Sequence, residues 1–439
     1  MHKFHIVVYG CQMNVHDSRR ISDTMLEAGF VRTYEATAAD ILIFYTCNIR
    51  EKAAHKVFSD IGLLKTKRTR IIAVGGCVAQ AEQSGIFKNR DVNIVFGPHV
   101  YHKLPEYIKS IANGETDRIL DVATEQSTKF NCLPVRKNVS CSEFVTIQEG
   151  CDNFCTYCVV PHTRGREFSR PALDVIREVK ELVASGAKEI TLVGQNVNSY
   201  HGEAPYITVG HPRGTWRLER LIMEIADLDG VRRLRYVTSH PRDFTRELME
   251  THAKVPVLAP FVHIPVQSGN NRILKIMNRG HNVSEYLDKL KMFLDICPGV
   301  QFSSDFIVGF PTEMDSEFGD TLKLVDEVKY TTSYSFKYSR RRGTPADRMH
   351  GQVPEETKEV RLATLQQILL RDQIAHNNSL VGKINEVLFE KRGRYSNQYI
   401  GKNAYMQSVV VESQENLVGI FANVLIESAS TNSVSGKIV

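Results

Sequence analysis

Short, unbroken apolar runs alternate with longer stretches of mixed polarity through most of the chain. Residues 4–8, 41–45 and 71–74 are the first three such runs. Runs of this length without alternation are what strands buried on both faces of a parallel sheet present. Helical stretches separate them. One lies near 16–28, with Asp17 or Ser18 as a cap and Gly29 as a stop; another runs from 51 to about 67. Residues 1–125 therefore predict an open parallel α/β sheet built of βα units. A second alternation opens with a helix over 171–185 and a strand over 189–193. It continues through β-type runs near 234–238, 260–265, 302–308 and 333–338. This predicts a partial or full parallel (β/α) barrel over 137–375, with its functional loops at the C-terminal strand ends. After a helical stretch over 355–376 the pattern shortens to β-type runs at 384–389, 405–411 and 421–426, punctuated by Gly and Asn. A small antiparallel β-barrel over 377–439 is expected, with the Ser/Thr/Asn-rich tail after Ser428 frayed. The fold class is α/β in three domains.

Composition narrows the function classes. The chain has 439 residues, 42% hydrophobic and 24% charged, ordinary for a soluble globular protein. No apolar run approaches the roughly 18 residues of a membrane span, and the first residues do not resemble a secretory leader. Nine irregularly spaced cysteines are too few for a secreted disulfide scaffold. A reducing cytoplasm is expected, with thiols kept for metal. The net charge of +5 is spread thinly, and residues 377–439 carry only six basic against five acidic side chains. Nucleic-acid binding would have to rest on local clusters: Lys65/Lys67/Arg68/Arg70, Arg164/Arg166/Arg170, Arg340/Arg341/Arg342 and Lys391/Arg392/Arg394.

The chemistry centres on Cys151, Cys155 and Cys158, spaced C-x3-C-x2-C with Tyr157 before the third thiol. Three such thiolates can hold three irons of a four-iron cluster. No further cysteine follows until Cys297, whereas electron-transfer ferredoxins close the cluster with a fourth. The open iron is then free to bind a cofactor. A zinc knuckle would instead show paired C-x2-C or histidine ligands. A second set emerges from the strand pattern. Cys11, Cys47 and Cys77 each follow one of the first three apolar runs, at intervals of 36 and 30 residues. Ligands gather beyond the carboxyl ends of strands in open α/β sheets, so these three are expected to converge on a second cluster. The alternative is three small buried hydrophobes.

Several blocks carry a family resemblance. Tyr9-Gly10-Cys11-Gln12-Met13-Asn14, Thr46-Cys47-Asn48-Ile49-Arg50 and Gly75-Gly76-Cys77 resemble the N-terminal blocks of methylthiotransferases. Cys151 through Arg170, Gly194-Gln195-Asn196, Thr238-Ser239-His240-Pro241, the Gln267-Ser268-Gly269 block and the segment from Asp305 to Glu313 resemble the radical S-adenosylmethionine (SAM) portion of the same family. Gly194-Gln195-Asn196 departs from the Gly-Gly-Glu common in the wider superfamily. The first block is most similar to the tRNA branch, which makes 2-methylthio-N6-isopentenyladenosine at position 37, beside the anticodon. Other branches act on threonylcarbamoyl-adenosine or on an aspartate of a ribosomal protein. A noncatalytic iron–sulfur RNA-binding protein is the alternative of another class.

The resemblance implies two [4Fe-4S] clusters, on Cys151/Cys155/Cys158 and on Cys11/Cys47/Cys77, with SAM at the first. It implies cofactor or substrate contacts from Tyr157, Gln195, Ser239, Gln267 and Asp305, and RNA or cofactor contacts from Arg164 and Arg166. Residues 377–439 match the TRAM module in position and size, with Lys391, Arg392, Arg394 and Tyr399 as candidate RNA contacts. Expected partners are the tRNA anticodon stem-loop and an electron donor such as flavodoxin or ferredoxin, with the enzyme a monomer. Cys132, Cys141 and Cys297 match no ligand block.

Overall fold

The computed structural model describes residues 2–48, 51–206 and 214–439; Ile49 and Arg50 of the second sequence block lie outside the described residues. The N-terminal sheet contains β1 (Lys3–Val8), β2 (Val31–Arg32), β3 (Ile41–Thr46), β4 (Ile71–Gly76), β5 (Ile94–Phe96) and β6 (Ile119–Asp121) in the order β2-β1-β3-β4-β5-β6. All its pairings are parallel. Every residue of β3 and β4 is buried, which is why both read as unbroken apolar runs. The strand order reverses between β1 and β3, and a crevice opens beyond the carboxyl ends at such a switch point.

The first helix spans Gln12–Glu27 with Cys11 as its N-cap, so Asp17 and Ser18 are buried helical residues rather than caps. Its start was misplaced by apolar periodicity because much of its buried surface is polar. His16, Asp17, Arg20 and Asp23 face inward, toward the middle domain. There Arg19 and Arg136 pair with Glu143 at 2.7 and 2.8 Å, and Arg136 also reaches Asp23 at 3.1 Å.

The middle domain is two parallel three-stranded sheets, one of Ser142–Thr146, Glu189–Val193 and Arg233–Tyr236, the other of Phe261–His263, Gln301–Val308 and Thr332–Lys337. A parallel bridge between Leu234 and Leu258 joins them. Neighbouring strands follow chain order, and one apolar core from Val145 to Leu369 runs beneath both sheets. The result is a partial barrel, since no pairing among the described residues closes its last strand onto its first.

Helix Glu355–Ser379 leads into a closed five-stranded barrel of Ile384–Arg392, Gln398–Lys402, Ser408–Glu412, Phe421–Ala429 and Ser433–Ile438. Four of its pairings are antiparallel; Ser408–Glu412 and Ser433–Ile438 run parallel. The expected frayed tail is therefore the strand that closes the barrel, with Val434 in its core. Polar residues on the strand's outward face gave it the composition of a tail. Arg233 and Arg235 seat the barrel on the middle domain through the carbonyls of Lys402, Ala404 and Asn403 at 3.0, 2.8 and 2.7 Å.

Candidate active site

Cys151, Cys155 and Cys158 sit on the loop between strand Gln148–Glu149 and the short helix Val160–Thr163. The loop is tied down by its backbone: Cys151 N donates to Gly165 O (3.3 Å), Cys158 N to Cys155 O (2.9 Å) and Thr156 N to Met277 O (3.0 Å). All three thiols line a cavity of about 260 Å³ at the strand ends of the middle domain. The donor set fits an iron–sulfur cluster with one open iron, because three free thiols face the cavity without a fourth cysteine on its wall. Burial pushes the Cys151 thiol up to about 11 and that of Cys158 to about 12, so binding of iron would have to displace their protons. Arg279 brings a buried cation alongside, its Nη1 3.4 Å from Cys155 Sγ and its Nη2 2.5 Å from Pro265 O. Among the described residues no three His, Cys, Asp or Glu side chains converge as ligands of a single metal ion.

The structure brings Tyr157, Gln195, Ser239, Gln267 and Asp305 to the walls of the same cavity. The Tyr157 ring packs edge-on to Phe310 at 6.5 Å. The Ser239 hydroxyl is buried without a partner, a polar site for a cofactor group to satisfy. Thr238 and Gln267 hold left-handed backbone angles, φ +71° and +78°, a strain that gathers at functional sites. Gln195 is partly engaged by the protein itself, its Oε1 accepting from Gly150 N at 2.6 Å. Asp305 Oδ1 lies 3.4 Å from His263 Nε2. Arg279 and Asn48 also line the cavity, and sequence reasoning passed over both. Lys337 and Arg341 stand on its wall too; the Arg340/Arg341/Arg342 cluster was the signal for the latter.

In the N-terminal sheet, Thr46 pairs with Gly76 across β3 and β4, so Cys47 and Cys77 leave adjacent strands at the same level. Cys11 approaches from β1, and the approach demands glycine. A Cβ on Gly10 would fall 2.1 Å from the Cys47 Cβ and 2.6 Å from its Sγ, at a φ of +104°. The hydrogen bond from Cys47 holds the Cys11 thiol down to about 6, with Arg164 assisting against burial. Burial pushes the Cys77 thiol up. Asn48, the residue after Cys47, lines the cavity that holds the other three thiols. The N-terminal triad thus touches the wall of that cavity through Asn48 alone, with none of its own thiols on the lining.

Two expected RNA contacts are corrected. Arg164 is only 2% exposed; it turns inward to Asp17 at 2.7 Å and Glu149 at 3.2 Å. Tyr399 is 2% exposed, an inward position on the alternating strand Gln398–Lys402, with Arg392 over its ring at 5.8 Å. The aromatic that does face solvent beside Lys391, Arg392 and Arg394 is Tyr395, 61% exposed. Arg166 is exposed, paired with Asp152 at 2.7 Å and stacked over Phe154 at 5.7 Å. Of the remaining cysteines, Cys132 is exposed, Cys141 contacts Phe389 O in the C-terminal barrel at 3.7 Å, and Cys297 caps helix Val283–Ile296.

Three segments of the chain match known families. Residues 145–325 match the radical SAM superfamily, 3–97 match uncharacterized protein family UPF0004, and 378–439 match the TRAM domain. A solved radical SAM methyltransferase, TsrM from Kitasatospora setae, shares the fold at a TM-score of 0.57 and 14% identity, over 79% of this chain and 76% of that one. Among curated relatives, the tRNA-2-methylthio-N(6)-dimethylallyladenosine synthase of Rickettsia felis is 46% identical over 100% of this chain and 99% of its own length. The protein of the same name from Zymomonas mobilis is 44% identical over 99% and 96%. Identity at this level over essentially the full length of both proteins makes the chain a member of the radical SAM methylthiotransferase family.

Proposed function

We infer that the chain adds a methylthio group to carbon 2 of N6-isopentenyladenosine at position 37 of tRNA. The observation that carries this reading is that Asn48, the residue after Cys47, stands on the wall of the cavity lined by Cys151, Cys155 and Cys158. A sulfur-bearing group on Cys11, Cys47 and Cys77 would then lie behind Asn48, next to the cavity in which Cys151, Cys155 and Cys158 would hold a SAM-binding cluster and which the adenine could enter. The relatives' name supplies the substrate class. When bound, the two [4Fe-4S] clusters and SAM supply the electron transfer, radical and sulfur chemistry that an unreactive aromatic carbon–hydrogen bond requires.

The chain's own residues hold, orient and shield. Cys151, Cys155 and Cys158 leave one iron open for SAM. Tyr157 flanks the cofactor's adenine, while Ser239, Gln267, Asp305 and the free amide of Gln195 offer polar contacts to SAM or substrate. Arg279 balances thiolate charge at the first triad. The target adenosine lies in a loop, so it can be splayed into the cleft without opening a duplex. Arg166 beside the cleft and Lys391, Arg392 and Arg394 on the barrel meet phosphate, with Tyr395 in the stacking role first expected of Tyr399. A flavodoxin- or ferredoxin-type donor supplies electrons, and the enzyme works as a cytoplasmic monomer. No helix among the described residues is long and apolar enough to cross a membrane.

The test is nucleoside mass spectrometry after anaerobic incubation of the reconstituted protein with SAM, a reductant and isopentenylated tRNA. The 2-methylthio nucleoside is the expected product. SAM cleavage without it would shift the substrate to another branch. Neither product nor cleavage, with both clusters loaded, would leave a binding protein.

A further inference from the structure

Arg164 caps the short helix that follows the cluster loop, six residues after Cys158, and its guanidinium reaches across the domain seam. It donates to Asp17 Oδ2 at 2.7 Å and Asn14 Oδ1 at 3.4 Å, both on the helix that Cys11 caps. On its own side it reaches Glu149 Oε1 at 3.2 Å, two residues before Cys151. Asn14 Oδ1 also accepts from the Cys11 thiol at 3.9 Å, so the guanidinium and a triad sulfur share one acceptor. The ion pairs are buried: the side chains of Arg164, Asp17 and Glu149 are 3%, 0% and 0% exposed. Tyr45 Oη donates to Asp17 at 2.9 Å, Lys129 pairs with Glu149, and His99 faces that carboxylate at 3.4 Å. Burial keeps His16 and His99 toward their neutral forms. The set is then two cations against two carboxylates.

A buried cation is tolerated when it is paired on every side. A cluster on the N-terminal triad would bring added negative charge against Arg164, because thiolates ligate iron as anions. Charge and hydrogen bonds at the sulfurs of an iron–sulfur cluster set its reduction potential. We propose that Arg164 is a positioning residue that clamps the SAM-cluster loop onto the N-terminal domain and sets the reduction potential of the cluster on Cys11, Cys47 and Cys77. The proposal rests on the reading that those three cysteines hold a second cluster. Arg279 donates directly to Cys155 Sγ, whereas Arg164 meets Cys11 through their common acceptor, Asn14.

The experiment uses the full chain with Cys151, Cys155 and Cys158 changed to Ala, so that only the N-terminal cluster is observed. Iron content and an EPR-monitored redox titration are measured for this parent and with Arg164→Gln, Arg164→Lys or Asp17→Asn added. In Arg164→Gln the reduced-to-oxidised ratio at the parent's midpoint should fall roughly tenfold, about 59 mV for a one-electron couple. Arg164→Lys keeps the charge and should remain close to the parent. Asp17→Asn removes an opposing charge and should move the midpoint the other way. Opposite signs are what a purely mechanical tether would not produce. Unchanged midpoints, or shifts of one sign for Arg164→Gln and Asp17→Asn, would overturn the proposal. Should Arg164→Gln fail to hold iron, the sign of the Asp17→Asn shift decides. A parent without iron would remove the second cluster itself and this proposal with it, whereas a loaded parent with unshifted variants removes the proposal alone.

Discussion

Single atoms decide the N-terminal triad. Gly10 is the sharpest case, since any side chain there would overlap Cys47. Gly10→Ala should cost about 1–3 kcal/mol locally through overpacking, displacing Cys11 or Cys47 from the shared site. On the proposal that this triad holds a second cluster, the expected outcome is loss of roughly half the bound iron, with SAM cleavage retained. Full iron content in that variant would show that the triad tolerates displacement, which a metal site of fixed geometry does not. At this scale the sequence was most informative where spacing alone carries chemistry. The six cysteines of the two triads were picked out by their intervals and by their places after strands. It was least informative where burial decides. Arg164 and Arg166 are near neighbours in one basic cluster, but one is buried among carboxylates and the other is exposed. Arg279 was invisible because it reaches Cys155 across 124 residues of chain.

Elements were legible in proportion to how fully they are buried and how long they run. β3 and β4, buried at every position, were evident from the pattern. β5 and β6, three residues each, left no comparable signal. In the C-terminal barrel the strands are half-buried, and the parity of inward positions decides which side chain does what. That is how Tyr399 was taken for a surface residue while Tyr395 holds the exposed place. The last strand shows the same limit, because Ser433–Ile438 reads as a polar tail yet bonds to strands on both sides. Removing residues 431–439 should therefore open the barrel rather than trim an end. Its two former neighbours would be left as unpaired edges, an aggregation hazard. Circular dichroism should lose β signal, and tRNA affinity should fall even though Lys391, Arg392 and Arg394 remain. A truncated chain with unchanged affinity would separate RNA binding from the closed barrel.

The whole molecule is held together by seams in which buried arginines meet buried carboxylates, and such seams respond to acid. At the N-terminal seam Glu143 is fully buried, with Arg19 and Arg136 at 2.7 and 2.8 Å and Ser140 N donating at 2.7 Å. Burial alone would raise its carboxyl pKa, but Arg136, Arg19 and Ser140 outweigh it and leave the group below its ordinary value of 4.5. A carboxyl whose folded value is depressed stabilises the fold above its unfolded pKa, and that contribution is lost as pH falls through the folded value. Glu143→Gln should then cost about 3 kcal/mol near pH 7, the low end for a broken buried pair, because buried Arg136 keeps Asp23 while Arg19 is a third exposed to solvent. The gap to the parent should narrow once pH drops below 4.5, where Glu143 of the unfolded chain takes up its proton while the folded one still resists it. Asp23 shares Arg136, and burial pushes its carboxyl up, so it works in the opposite sense. It is present in both proteins and largely cancels from the difference. Calorimetric unfolding of parent and variant at pH 7 and pH 4 measures that difference directly. A gap that stays constant between the two pH values would mean that Glu143 contributes through packing and neutral hydrogen bonds rather than through its charge.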